Sequence, residues 1–135
     1  MQGSQDLTRS AEVRLAVPAA PQFVRLVRLA AADIATRAGF SLDEIDDLRM
    51  AVDELCFALT GADGCAGELA VTFWLAGDEV VVEGVGRFAA PTGSPDTNPH
   101  LAIRAQILTS VLDEHHIDVV GTPPSFRGRK RRAGA

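Results

Sequence analysis

Along residues 12–17 the chain alternates: Val13, Leu15 and Val17 fall on one side of an extended segment, Arg14 and Ala16 on the other. Pro18 has no amide to donate and ends the ladder. The period then changes. Phe23, Leu26, Val27, Ala30 and Ile34 recur at helical spacing behind Pro21, and Gly39 supplies a stop, so a helix is predicted with Arg25 and Arg28 off its stripe, toward solvent. Ser41-Leu-Asp-Glu44 has the form of a capping box, in which the serine oxygen and the glutamate carboxylate each satisfy an amide of the opening turn. It opens a second helix whose core stripe is Ile45, Leu48, Val52, Leu55 and Leu59. Asp43, Glu44, Asp46 and Asp47 crowd the start, where carboxylates favour the positive end of the helix dipole. Gly61 and the glycine-rich run after it break the helix.

Two runs rich in β-branched and aromatic residues, Glu68–Leu75 and Glu79–Val82, flank Ala76-Gly77-Asp78 and predict an antiparallel hairpin that includes Phe73 and Trp74. Residues 84–98 are rich in Gly, Pro and Ser and predict a mobile loop. Asn98-Pro99 then caps a third helix carried by Leu101, Ile103, Ile107, Leu108, Val111 and Leu112. Ile117–Val120 reads as a strand, Gly121-Thr-Pro-Pro interrupts it, and the chain from Ser125 onward reads as a weak edge strand or a tail. The order implies an α+β fold: a two-layer sandwich, with a mixed, mostly antiparallel sheet and helices on one face. The hairpin excludes a purely parallel sheet. One domain over residues 12–122 is expected, with a flexible N-terminus (1–11) and a basic C-terminal segment (123–135).

Composition narrows the class. With 47% hydrophobic and 23% charged residues, and apolar stretches always interrupted, the 135-residue chain is globular rather than disordered or membrane-spanning. About 70% of the unfolded surface can be buried at this length. The first residues lack the basic-then-apolar order of a signal peptide, so the cytoplasm is expected. Cys56 and Cys65 form neither a CxxC pair nor a ligand set, and reduced thiols are the economical reading. The net charge of −5 hides an asymmetry: Arg127, Arg129, Lys130, Arg131 and Arg132 lie in the last nine positions. Without them eight basic residues face eighteen acidic ones, about −10 over residues 1–126. Such a body repels nucleic acid and attracts basic protein surfaces. A basic tail is usually a solvated terminus, so nucleic-acid binding ranks last.

Three local texts then carry a resemblance. They are Val13-Arg-Leu-Ala-Val-Pro18 leading to Phe23-Val-Arg-Leu26, Asp47-Leu-Arg-Met-Ala-Val-Asp-Glu-Leu-Cys56, and Gly84-Val-Gly86 after the hairpin. Together with the element order they resemble the anti-sigma-factor serine kinases of the histidine-kinase-like ATPase (GHKL, Bergerat) superfamily over roughly residues 12–122. The resemblance implies ATP and Mg²⁺ as cofactors and gives Glu54 the role of the glutamate that positions or deprotonates the attacking hydroxyl, for which a rigidly held acceptor is apt. It also implies that Gly84 and Gly86 let backbone and nucleotide approach closely, with Gly121-Thr122 beside them. Two positions depart from the pattern. Where the family has a metal-holding asparagine this chain has Ala58, which offers no ligand, and where it has an adenine-binding aspartate this chain has Val82. A buried adenine amine without its acceptor costs about 1–3 kcal/mol, and Glu83 points to the opposite side of the strand.

The partners that the resemblance implies are a sigma factor, which the protein would sequester, and an anti-anti-sigma protein of the STAS type. Arg25 stands where related proteins use an arginine at a partner surface, and Arg28 lies one turn on; a guanidinium fork grips carboxylates bidentately and stays charged. A homodimer is the family expectation. Two function classes follow: a binding module that occludes a sigma factor, or a serine kinase acting on the anti-anti-sigma factor. No metal site is expected from His100, His115 and His116, since adjacent histidines on a strand face opposite ways. Cys56, on an apolar helix without a paired histidine, reads as a small core residue.

Overall fold

A computed structural model describes residues 12–89 and 101–133. The elements are β1 (Val13–Pro18), α1 (Pro21–Arg37), α2 (Leu42–Thr60), β2 (Gly67–Ala76), β3 (Glu79–Phe88), α3 (Leu101–Val111), β4 (Glu114–Asp118) and β5 (Ser125–Arg131). The strands form one sheet in the order β1-β2-β3-β5-β4, and all four pairings are antiparallel. The α+β class holds, while the expected mixed sheet is wholly antiparallel among the described residues. The segment expected as an edge strand or tail is instead an interior strand, hydrogen-bonded to β3 on one side and β4 on the other.

Local chemistry accounts for the helix ends. Pro21 opens α1 with its fixed φ, and the missing amide costs nothing in a first turn. The capping box at α2 is present in full: the Glu44 amide donates to the Ser41 hydroxyl and the Ser41 amide donates to the Glu44 carboxylate at 2.8 Å. The β2–β3 hairpin turns on Gly77-Asp78, with Gly77 at φ 64°, a left-handed conformation that glycine adopts without penalty. β3 runs on to Phe88, so Gly84 to Phe88, expected as loop, belong to the sheet; the loop from residue 90 and the Asn98-Pro99 cap lie outside the described residues.

One face of the sheet packs on the helices. Leu69, Val71 and Phe73 of β2, Val80 and Val82 of β3 and Phe126 of β5 meet Ile45, Leu48, Val52, Leu55 and Leu59 of α2, all buried. Leu108, Val111 and Leu112 close the same core from α3 and its end. In α1 the stripe is rotated from the expected one: Val24, Val27, Ala31, Ile34 and Ala35 are buried, whereas Phe23 and Leu26 are 36% and 48% exposed. Ile103, expected in the α3 core, is also exposed. Cys56 is fully buried, and burial pushes its thiol pKa strongly up, as for an inert core residue.

The opposite face is a charge ladder. Arg127 pairs with Glu83 at 3.3 Å and lies 5.7 Å from the Trp74 ring centroid; Arg129 bridges Glu79 and Glu114, and Arg131 reaches Glu79 and Asp78. Lys130 points the other way, donating to the Val111 carbonyl at 2.8 Å and facing Asp47 at 3.8 Å, while Arg132 donates to the Ala38 carbonyl. Four of the five terminal basic residues therefore pair with carboxylates of the acidic body and Arg132 with a backbone carbonyl, rather than forming a solvated tail.

Candidate functional site

The second helix carries the acidic pair Asp53-Glu54. The two carboxylates leave the helix in different directions and meet different cations. Asp53 accepts from Arg28 of α1 at 3.1 Å, with both side chains about three-quarters buried or slightly less. Burial holds the Asp53 carboxyl above its ordinary value, although Arg28 pulls it down. Arg28 is thus a largely buried strut between α1 and α2, not the solvent-directed residue expected. Arg25 does face solvent, with no ion-pair partner among the described residues.

Glu54 is engaged by a residue that sequence reasoning missed. Arg104 of α3 brings its Nε to 3.5 Å from Glu54 Oε1, long for a hydrogen bond but within ion-pair range, and the arginine side chain is only 13% exposed. The available signal was that Arg104 is the single charge in an otherwise uncharged helix, Leu-Ala-Ile-Arg-Ala-Gln-Ile-Leu-Thr-Ser-Val. A lone cation on such a helix needs a counter-charge wherever it is covered.

At the far end of β3 the glycines are brought together with the β4–β5 link. The Gly86 amide donates to the Pro124 carbonyl at 2.9 Å, which places Gly121-Thr122 on a segment tied to the strand; Thr122 itself is exposed. Gly84 pairs in register with Phe126. A methyl group added to Gly84 would lie 2.2 Å from the Phe126 ring, and one added to Gly86 would lie 2.4 Å from the Phe88 ring. The absent side chains at both positions make room for aromatic rings of this chain. Next to them, a methyl on Gly128 would meet Leu112, Leu55 and Val82 at 3.0–3.4 Å, so Val82 is part of a close apolar plug.

These observations test the implied cofactors. Val82 is buried and offers no acceptor to an adenine amine. Glu83, the nearest carboxylate in sequence, lies on the outer face and is paired with Arg127. Ala58 is packed against the core and supplies no metal donor. As arranged, the described residues do not fit a magnesium nucleotide.

No family model matches the chain. Sequence similarity nonetheless points one way. The chain is 33% identical over 96 residues to the serine-protein kinase RsbW of Bacillus pumilus, a match covering 65% of this chain and 59% of that protein. It is 38% identical over 79 residues to the RsbW of Bacillus velezensis, covering 55% of this chain and 49% of the relative. With the RsbW of Bacillus subtilis the identity is 43% over 44 residues, 33% of this chain and 28% of the other. This chain is similar to RsbW proteins. It spans about half the length of the curated relatives it matches. Among the described residues no helix is long and apolar enough to cross a membrane.

Proposed function

We propose that this protein is a cytoplasmic anti-sigma regulatory factor that sequesters an RNA polymerase sigma factor by direct binding and releases it to an anti-anti-sigma partner of the STAS type. The observation that carries this reading is the outer face of α1. Phe23, Leu26 and Leu29 are 36%, 48% and 55% exposed at three-residue spacing, with the unpaired Arg25 among them. An exposed apolar strip around a free guanidinium has the chemistry of a protein interface, where an aromatic or arginine anchor carries much of the affinity. Likeness to the RsbW proteins supports the choice of partners. Arg28 contributes by holding α1 against Asp53 rather than by touching the partner. Two-fold pairing of the chain is part of the proposal.

The alternative is an active serine kinase acting on the anti-anti-sigma factor. It is favoured by the name of the relatives, with Glu54 as the base and Gly84, Gly86, Gly121 and Thr122 around the nucleotide. Calorimetry with each purified sigma factor of the host cell separates the two when run beside a phosphotransfer assay on a STAS-domain substrate with Mg-ATP. Binding that Arg25→Ala weakens and Glu54→Ala leaves unchanged, without phosphotransfer, is the expected result. Transfer that disappears in Glu54→Ala would establish the kinase.

A further inference from the structure

The helix-facing side of β3 changes character along its length. Val80 and Val82 fill their own share of the core; beyond them Gly84 and Gly86 bring no side chain, and rings from Phe126 and Phe88 lie against the bare backbone. Phe126 is 2% exposed and belongs to the main core, packed with Leu55 and Leu112 nearby. A base could lie on these glycines only after both rings had left, and moving Phe126 would open the core itself. On the helix above, Glu54 already has a cationic partner in Arg104.

We infer that the chain has closed this end of its sheet with its own side chains, so that partner capture at α1 is neither set nor released by a nucleotide. The part of this inference that concerns capture rests on the protein-binding reading above; the closed pocket does not. Three independent replacements make up the closure. Phe126 and Phe88 occupy the space over the glycines, Val82 with Leu55 and Leu112 makes the wall apolar, and Arg104 takes the carboxylate. Each has a local reason to persist without ligand. The rings bury apolar surface, and the ion pair joins α3 to α2 beside the Leu108 contact. Gly84 and Gly86 are then retained because a side chain at either position would strike a ring, which is a demand of this fold alone.

The experiment uses the full chain, isotopically labelled, with the amides of Gly84 and Gly86 followed during titration with Mg-ATP and, separately, Mg-ADP. No saturable shift up to about 1 mM nucleotide, the weak end of specific recognition, is expected. In parallel, Gly84→Ala should lower Tm with no ligand present, and should lower it much less in a Phe126→Val background. Saturable shifts at both glycines, or equal effects of Gly84→Ala in the two backgrounds, would overturn the closure. Sigma-factor capture unchanged by nucleotide supports nucleotide independence, and capture that requires Mg-ATP overturns it. If neither nucleotide nor sigma factor binds, the closed pocket stands and the protein-binding reading falls.

Discussion

Two regions of the molecule treat exposed apolar chemistry in opposite ways. At the end of β3 the chain covers bare backbone with its own side chains: Phe126 covers Gly84, Phe88 covers Gly86, and Arg104 engages Glu54. On α1 it leaves Phe23, Leu26 and Leu29 uncovered around Arg25, although the same helix buries Val24, Val27, Ala31, Ile34 and Ala35 completely or nearly so. The difference separates residues retained for the fold from residues left for something else. A buried ring is explained by its own packing, whereas an apolar strip in water costs solubility and needs another reason.

The sharpest way to break this comparison is at Phe126. Replacing it with alanine should cost about 3–5 kcal/mol, the usual range for a buried phenylalanine, read as a lower midpoint in urea denaturation; Leu26→Ala should stay within about 0.5 kcal/mol of the parent, as surface changes do. If the two variants lose similar stability, α1 is part of the core and the contrast fails. Next in size is the effect of Arg25→Ala on sigma-factor affinity, expected at about 2 kcal/mol if the arginine is a hot spot, with thermal unfolding unchanged. Smaller again is Ser41→Ala, which removes one half of the capping box at the corner joining α1 to α2 and should cost about 1 kcal/mol by chemical denaturation.

The smallest effect belongs to Glu44. Its carboxylate accepts from the Ala133 and Ser41 amides, and these bonds hold its pKa below the ordinary value. A depressed carboxylate contributes stability above its unfolded pKa, about 4.3, and loses that contribution as pH falls through its folded value. Glu44→Gln should therefore flatten the acid limb of a stability-against-pH curve and leave its slope above pH 6 unchanged. Glu44 is half-buried at the surface, where water still screens its charge, so the change is small.

Legibility from sequence followed the range of the interactions. α2 was readable because its cap and its stripe are both local: Ser41 and Glu44 are three residues apart, and Ile45, Leu48, Val52, Leu55 and Leu59 repeat at helical spacing. α1 is apolar on more than one side, and spacing does not determine which apolar residues a neighbour covers; the expected stripe includes Phe23 and Leu26, while the buried one includes Val24, Ala31 and Ala35. β5 was underestimated since its outward residues are arginines and two of its inward positions are Gly128 and Lys130. Two of their counter-charges, Glu79 and Glu83, sit on a strand distant in sequence, and Glu114 comes opposite only when β4 pairs with β5. At the site, Glu54 and the two glycines were found as residues, but Arg104, Phe88 and Phe126 were not, because each acts only through a contact that folding creates.

The insertion of β5 between β3 and β4 also has a kinetic side. Among the described residues β4 has no strand partner except β5, so it joins the sheet only through β5, and both depend on the pairing of β5 with β3. The register Glu79↔Arg131 to Val85↔Ser125 closes a long loop before it returns any energy, and such non-local pairing slows folding. Until it forms, β3 remains an open edge on the side where the Gly86 amide and the Asp78 carbonyl later meet Pro124 and Arg132. Addition of this pair thus exchanges the ten-residue edge of β3 for the five-residue edge of β4, a shorter template for other strands.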